Sequence, residues 1–320
     1  MRIIYFLSIA SLALTFTACH RNNNDSNVLG QTYVHKYGVA VPSDFWSASG
    51  EHGSVISTMA DGVVITRSYT SGVLDGDTTY SFPHNSQIQK IETYNQGTLV
   101  KTTEYYYDGS SQSQIVYDSS RGIRTVSTWY MGGTPRSTEQ YSGDALVSGQ
   151  YFSIQNHNDA GVDNYQGTRI VRDDYGQIIS TDNIVDGQLT LQSTYHTNGN
   201  PKATIPYQNG VVHGTKQTYH PGGEPDTIEA WSAGKQEGNT VVYQYGEKYA
   251  DVPYVDGQKH GVESRYRDGQ DMVQEVSWNK GQQHGPATTY VGNASKTDWY
   301  FNGNPVSKNQ YDFLNNRAQK

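Results

Sequence analysis

The chain has one cysteine, Cys19, among its 320 residues. A single thiol cannot form an internal disulfide, so the folded part has to be stable without covalent cross-links. Apolar residues are also scarce: with the 26 tyrosines left out and the 33 glycines included, they make up about 36% of the chain, whereas globular chains have roughly 45–50% on the same count. Tyrosine combines an apolar ring with a hydroxyl that can stay in water. We therefore expect a thin sheet with half-wet aromatic faces rather than a thick globule.

The sequence also lacks clusters of Lys and Arg, and its formal net charge is −8. Nucleic acid and anionic lipid head groups attract such clusters, so we predict neither as a partner. Nucleophile elbow, P-loop, dinucleotide and zinc-protease motifs are absent. Asp173 and Asp174 are paired carboxylates, but adjacent strand residues point to opposite faces of a sheet. We therefore predict a non-enzymatic protein without catalytic residues, cofactor or metal.

The N-terminal stretch has the layout of a secretory signal. Arg2 is followed by an apolar run over residues 3–14, which is shorter than a membrane span requires. The sequence FTAC at 16–19 resembles a bacterial lipobox, with Phe16 in place of the usual Leu. The resemblance implies cleavage before Cys19 and attachment of a diacylglycerol to its sulfur. Removing residues 1–18 would remove Arg2 and change the net charge from −8 to −9.

Two readings of this leader differ in what they imply for location. A lipidated Cys19 predicts anchoring in the bacterial cell envelope by acyl chains, on the periplasmic face or at the surface. A signal peptide with an unmodified Cys19 predicts export without an anchor. In both readings the polar, Asn-rich residues 19–32 form a flexible tether.

An eight-residue motif recurs from residue 207 onward, with an aromatic residue, a Gly three positions later and a second Gly four positions after that. Its copies begin with YQNGVVHG at 207–214 and are spaced by 22 to 24 residues, which indicates a repeat architecture. The motif residues are Tyr207, Gly210, Gly214, Trp231, Gly234, Gly238, Tyr254, Gly257, Gly261, Trp278, Gly281, Gly285, Tyr300 and Gly303. A second aromatic set follows the first by 11 or 12 residues, and it consists of Tyr219, Tyr243, Tyr266, Tyr290 and Tyr311.

Segments between the aromatics are short and rich in Thr, Val and Tyr, which favours strands. Links such as QNG, VDG and NKG supply the positive φ of tight hairpin turns. We predict an all-β fold, an elongated antiparallel array of β-hairpins. The first Gly of the motif would serve the turn, the second would leave room for a neighbouring aromatic ring, and aromatic ladders stacked between hairpins would supply most of the burial.

The boundaries follow from where this pattern begins and weakens. The repeats extend over residues 69–311, preceded by an atypical capping unit at 33–68 and followed by a tail at 312–320. Residues 145–180 break the twelve-residue spacing, and we predict an irregular insertion there. Within it, His157, Asp159 and Asp163 are possible loop contacts, because NHNDAGVDN concentrates oxygen ligands, although an ordinary polar loop is the plainer interpretation.

The motif resembles the bacterial variant of the MORN repeat, including the His-Gly ending at His213, His260 and His284. The resemblance implies an elongated sheet of hairpins. Relatives are often labelled antitoxins or are assumed to mediate protein or lipid contacts, and an antitoxin would meet its toxin in the cytosol. The YD-type repeat of large secreted proteins is a second resemblance, carried by YDSSRG at 117–122.

The three histidines occupy one repeat position, and a position repeated along an extended sheet does not converge on a metal ion. A structural role for them is therefore predicted. Exposed Tyr and Trp rings suit a protein partner or a carbohydrate chain. We predict a lipid-anchored interaction scaffold with an unidentified protein partner. A carbohydrate or cell-wall binding module that uses aromatic ladders, and an antitoxin-like partner protein, are the alternatives.

Overall fold

A computed structural model describes residues 27–318 as one antiparallel sheet of 28 strands with a helix near each end. The predicted leader at 1–18, Cys19 and the first part of the tether lie outside the described residues. No helix within 27–318 is long and apolar enough to cross a membrane.

The first third of the described chain contains the short helix α1 and the first nine strands. Their bounds are β1 (Val28–His35), β2 (Ala40–Val41), α1 (Ser43–Ala48), β3 (Gly53–Met59), β4 (Val64–Thr70), β5 (Val73–Ser81), β6 (Ile88–Asn95), β7 (Thr98–Tyr105), β8 (Ser111–Asp118) and β9 (Ile123–Trp129).

The middle of the chain continues as hairpin strands of similar length. Their bounds are β10 (Pro135–Ser142), β11 (Ala145–Phe152), β12 (Asn158–Asp163), β13 (Gln166–Arg172), β14 (Ile178–Val185), β15 (Gln188–Tyr195), β16 (Pro201–Gln208), β17 (Val211–Val212), β18 (Gly214–Tyr219) and β19 (Pro225–Ser232).

The last third ends in the longer helix α2. The bounds are β20 (Lys235–Gln236), β21 (Gly238–Gln244), β22 (Glu247–Val255), β23 (Gln258–Lys259), β24 (Gly261–Arg267), β25 (Asp271–Asn279), β26 (Gln282–Val291), β27 (Ala294–Phe301), β28 (Asn304–Val306) and α2 (Lys308–Ala318).

The strands pair largely in chain order. β1 lies between β2 and β3, and from β3 onward each long strand pairs with the next one along the chain. Within the described residues, the two ends of the sheet do not pair with each other, so the sheet is open. The predicted fold class, an elongated array of antiparallel hairpins, is confirmed.

Several predicted boundaries differ from the structure. Strand β1 begins at Val28, inside the segment expected to be a tether, and it pairs with β3 from Val28 to His35. Helix α2 covers the end of the expected repeats and the expected tail, so Tyr311 lies in a helix and not in a strand. Its ring packs on Trp299 and Phe301, which explains why an aromatic residue occurs at this position.

The predicted irregular insertion at 145–180 is also wrong. The segment forms β11, β12, β13 and the start of β14, and hairpin pairing continues through it. Its turns begin at Ser153 and Asp173, where neighbouring turns have Tyr106 and Tyr130. The aromatic markers are therefore missing from a region whose backbone keeps the repeat.

The two edges of the sheet have different turns. Most turns on one edge, the motif edge, have two residues with positive φ, as at Asn209 (52°) and Gly210 (77°), the conformation that matches the twist of paired strands. Most turns on the opposite edge, the loop edge, are longer, although two-residue turns occur there at 245–246 and 292–293. At Tyr106, the backbone N–H donates to Ser110 O over 2.8 Å, and Gly109 N–H donates back to Tyr106 O over 2.9 Å.

A hydrophobic cluster lies at mid-sheet. It consists of buried Leu146, Tyr151, Val162 and Ile184, with Tyr141 packed against it. The ring of Tyr151 lies across Gly149, where a Cβ would be 2.3 Å from the tyrosine oxygen. The room for an aromatic ring that we expected at the motif glycines is therefore found at Gly149.

Candidate functional site

In four of the five motif copies, the first Gly joins one hairpin to the hairpin before it. Each of these four glycines lies in a two-residue turn on the motif edge, and its N–H donates to a carbonyl of the preceding hairpin. The bonds are Gly234 to Val212 O, Gly257 to Gln236 O, Gly281 to Lys259 O and Gly303 to Gln283 O, all at 2.9 Å. The spacing of the motif thus sets the distance between hairpins along this edge.

The second Gly of the motif is needed for its backbone conformation, and not to leave room for an aromatic ring as we expected. Gly261 has φ of 104°, a conformation that L residues rarely adopt, and a Cβ there would lie 3.3 Å from Pro253 Cγ. The preceding residue, His260, donates its N–H to Pro253 O over 3.0 Å. The glycine is therefore needed for a local irregularity where the strand resumes.

Two motif histidines accept hydrogen bonds from the next turn. The N–H of Ala233 donates to His213 Nδ1 over 3.3 Å, and that of Asn302 donates to His284 Nδ1 over 3.4 Å. Glu237 occupies the equivalent position in its repeat and accepts from the next turn in the same way. In these three copies the position therefore provides an acceptor for a turn N–H, whereas His260 contributes through its backbone N–H to Pro253 O. Within 27–318, no three His, Cys, Asp or Glu side chains gather as they would around a metal ion.

The motif aromatics do not stack on one another. Tyr207, Trp231, Tyr254 and Trp278 lie on every second long strand, because another strand intervenes between each pair. Two strand spacings amount to about 10 Å, which exceeds the roughly 4.5–7 Å between centroids of contacting rings. Among the described residues, ring contacts occur near the ends of the sheet, as between Tyr33 and Trp46, and on the loop edge between Phe82 and Tyr107. The predicted ladder of stacked rings is wrong.

The motif rings instead contact cations and carboxylates. Lys216 Nζ lies 5.4 Å from the Trp231 ring, and Lys259 Nζ lies 4.7 Å from the Trp278 ring. Glu229 accepts from Trp231 Nε1 over 2.7 Å and from Lys216 Nζ over 3.1 Å. The contacts of Lys216 and Lys259 link neighbouring strands on one side of the sheet, whereas the Trp231–Glu229 hydrogen bond lies within β19.

We call this side of the sheet the carboxylate face. It carries four glutamates, and the cross-strand pairs show that all four point to the same side. They are Glu92, Glu139, Glu229 and Glu263. Glu139 is 4% exposed and accepts from Tyr141 Oη over 2.7 Å and Arg169 Nε over 2.8 Å. Glu263 is 2% exposed and accepts from Lys259 Nζ over 2.8 Å and Arg265 Nε over 2.7 Å. Every one of these carboxylates thus has at least one cationic partner.

The electrostatics fit a structural role for these clusters. Burial by itself would raise the pKa of Glu263, but the hydrogen bonds and positive charges of Lys259 and Arg265 outweigh it and lower the pKa. The pKa of Glu229 is lowered by a similar balance. Burial, with a hydrogen bond to Glu92, raises the pKa of Tyr80. These glutamates stay ionised and the phenol stays protonated near neutrality, so they hold the sheet without a proton to exchange.

The three residues predicted as loop contacts do not converge. His157 closes a loop-edge turn, and its N–H donates to Ser153 Oγ over 3.2 Å. Asp159 forms an ion pair with Arg172, whereas Asp163 lies at the motif-edge end of β12. His157 and Asp163 are six strand positions apart, about 20 Å. The oxygen-rich stretch therefore does not form a cation loop.

The loop edge carries a row of exposed side chains that sequence patterns did not reveal. The turns after β7, β9, β11 and β13 place an apolar or aromatic side chain at their tips. The exposed fractions are 60% for Tyr107, 62% for Met131, 42% for Ile154 and 85% for Tyr175. Consecutive loop-edge turns are two strands apart, so the row extends for about 30 Å. We call these four residues the tip row.

Side chains beneath the tip row connect its turns. The hydroxyl of Tyr106 donates to Trp129 O over 3.0 Å, and that of Tyr130 donates to Phe152 O over 2.9 Å. Asp174 reaches back to Arg136 Nη1 over 2.9 Å. The sequence carries a signal for only half of this row: Tyr107 and Met131 directly follow the buried turn tyrosines Tyr106 and Tyr130, whereas Ile154 and Tyr175 have no such marker before them.

Comparisons with known proteins give no family. No family model matches the chain, and no curated protein matches it. A chain in the structure of a Photorhabdus luminescens Tc holotoxin pore is similar with 11% identity, over 86% of this chain and 16% of that chain, at a TM-score of 0.16. This chain thus spans about one sixth of the toxin chain, and a TM-score this low carries no argument about fold or function.

Proposed function

We propose that this chain is a lipid-anchored, non-enzymatic protein of the bacterial cell envelope that binds a protein partner along its loop edge. The observation that carries the binding proposal is the tip row. Exposed aromatic and apolar side chains on a rigid base are typical anchors of protein interfaces. The anchoring proposal is supported by the lipobox-like sequence ending at Cys19. The motif units are proposed to be a bacterial variant of the MORN repeat.

Three features support a scaffold over an enzyme. The buried glutamates are matched by cations and hydrogen-bond donors, as at Glu263 and Glu229. Their pKa values are lowered, away from the range near neutrality that general acid–base catalysis favours. Exposed aromatic side chains such as Tyr107 and Tyr175 lie at turn tips, on the surface of the sheet.

The partner proposal is tested by co-purification from solubilised envelope. The protein with its own leader is compared with the double variant Tyr107→Ser, Tyr175→Ser. The matched control is Val211→Ser, Val255→Ser, which removes exposed apolar side chains from the motif edge. We expect the same partner to be enriched with the native and control proteins and to be lost with the tip-row variant. Equal enrichment with all three proteins, or no reproducible partner, contradicts the proposal.

Anchoring is tested separately by intact mass and detergent partitioning of the native protein and Cys19→Ala. We expect the native protein to carry diacylglyceryl mass and to enter the detergent phase, and the variant to lose both properties. A native protein that is neither cleaved nor lipidated contradicts the envelope location and makes a cytosolic partner the leading idea.

A further inference from the structure

A polar groove crosses β10 to β13 on the side of the sheet opposite the carboxylate face. It has a volume of about 570 Å³, within the roughly 300–1,000 Å³ of small-ligand sites. The residues that matter for its chemistry are Thr138, Gln140, Gln150, Asn158, Asp163 and Gln166. Their cross-strand pairing places them on one face, as Thr138 pairs with Gln150 and Asp163 pairs with Gln166.

The groove exists because one of the cross-strand positions along β10 to β13 is occupied by a glycine and has no side chain. Gln150 pairs with Gly161, so the place where a side chain would stand next to Gln150 is empty. The next strand does not fill it, because β12 and β13 pair only through Val162 with Gly167 and Asp163 with Gln166. The row of side chains is thus interrupted at Gly161, and a shallow depression remains.

The polar groups around this depression are free to bind a ligand. Within residues 27–318, the side-chain amides of Gln150, Asn158 and Gln166 have no hydrogen bond to other protein groups, and neither has the Asp163 carboxylate. All four residues are exposed. Elsewhere on the same face, comparable groups are engaged, as where Tyr290 donates to Glu275 over 2.6 Å. The groove therefore gathers hydrogen-bonding capacity that the fold does not use.

The lining also restricts the class of ligand. It has no Lys, Arg or His to neutralise an anion, and Val162, its one large apolar residue, is buried. Each amide offers donors and an acceptor together, and the carboxylate offers acceptors. Hydroxyl groups both donate and accept, so a neutral molecule rich in hydroxyls matches this set. A peptide would depend on a backbone ladder or on a side-chain pocket, and the groove has neither.

We propose that this groove, centred on Gly161, binds a neutral saccharide. The site is separate from the tip row that carries the proposed partner binding, and it uses amides instead of the motif aromatics, which Lys216 and Lys259 already cover. It adds a ligand-binding function to the proposed scaffold, and loss of either function leaves the other testable.

Saturation-transfer NMR on the full protein in detergent tests the site. The probes are maltotriose, cellotriose, chitotriose and mannotriose, with a neutral hydrophilic tetrapeptide as the competing class. We expect at least one trisaccharide to receive saturation and the tetrapeptide to receive none. No transfer to any trisaccharide at about 10 mM, which exceeds the dissociation constant of even a weak complex of about −4 kcal/mol, overturns the proposal. Transfer to the tetrapeptide with displacement by no trisaccharide also overturns it.

Variants then place the binding in the groove. Gln150→Ala and Gln166→Ala each remove one exposed amide, and we expect each to weaken the bound trisaccharide about fivefold, the equivalent of one lost hydrogen bond of about 1 kcal/mol. Gly161→Ala fills the depression with a Cβ 3.2 Å from Gly149 O and should weaken binding further. Gln258→Ala, an exposed amide in a distant repeat, is the control. Binding that all three groove variants leave unchanged overturns the assignment.

Discussion

Replacing Glu263 with Gln should loosen one hairpin and leave distant hairpins unchanged. The native carboxylate is 2% exposed and accepts charged hydrogen bonds from Lys259 and Arg265, each worth about 1.5–3 kcal/mol in favourable settings. Gln keeps one acceptor oxygen but turns an amide N–H toward a cation. Both cations are about one-third exposed, so water recovers part of the loss. We expect the opening free energy of the β24–β25 hairpin to fall by about 2–3 kcal/mol.

Amide hydrogen exchange measures this opening locally, which matters because repeat proteins do not unfold as one unit. A loss of 2–3 kcal/mol corresponds to exchange that is about 30- to 150-fold faster in residues 261–279, with no change in residues 88–105. The control is Glu104→Gln, an exposed glutamate with a single hydrogen bond from Ser113, and it should change exchange by less than about threefold. A change in the Glu263 variant no larger than in this control would refute the reasoning.

The pH dependence of the same pair gives a second check on the charge. The folded-state pKa of Glu263 is lowered because the hydrogen bonds and charges of Lys259 and Arg265 outweigh burial. The unfolded chain therefore binds the proton more readily, and the stabilisation is fully present above the unfolded pKa of roughly 4.3. It is lost as the pH falls through the lower folded value. The difference between native and Glu263→Gln proteins should shrink on acidification below about pH 4, and a difference that persists there contradicts an ionic origin.

Three further substitutions test other parts of the fold. Gly261→Ala places a Cβ at a residue with φ of 104° and 3.3 Å from Pro253. It should lower the local opening free energy, measured by hydrogen exchange, by about 1–3 kcal/mol. Exchange equal to that of the native protein would contradict a backbone requirement. Tyr130→Phe leaves Phe152 O without its side-chain donor and should lower the free energy of unfolding of the loop-edge hairpins, measured in urea, by about 1–2 kcal/mol. Coincident urea transitions of the native protein and the variant would contradict this. Tyr311→Ala removes the ring between α2 and β27 and should speed exchange in residues 294–301 about 30-fold, the effect of a loss of about 2 kcal/mol. Unchanged protection would show that α2 does not hold this end.

The turns were predictable because their chemistry is local. Asn209 and Gly210 both have positive φ, and a tight hairpin turn imposes that requirement wherever the chain is placed. The strands between turns followed from the same short-range signals. The regular hairpins in the middle of the sheet were not predicted because Ser153 and Asp173 stand where other turns have an aromatic residue. The turn itself is made by backbone hydrogen bonds, so the side chain at that position does not reveal it.

The tip row and the groove were not predictable in the same way. Tyr107 and Tyr175 belong to one row only because their turns lie on the same edge, and Gly161 forms a depression only because it is paired with Gln150. Both depend on how the strands are paired, because a slip by one residue would move every side chain of a strand to the opposite face of the sheet. An irregular loop was expected at 145–180, whereas the features that remain for binding are a row of turn tips and the face of an ordered sheet.

The sequence by itself determined the class of fold, the antiparallel pairing of successive segments and the repeat length, because turn dihedral angles and strand propensities are local properties. Tertiary structure decided what the aromatics contact. Successive motif residues such as Trp231 and Tyr254 lie on alternate long strands, about 10 Å apart, and lysines of the intervening strands, such as Lys216 and Lys259, contact the motif rings instead. Which side chains become neighbours depends on strand order and register, and these exist only in the assembled sheet.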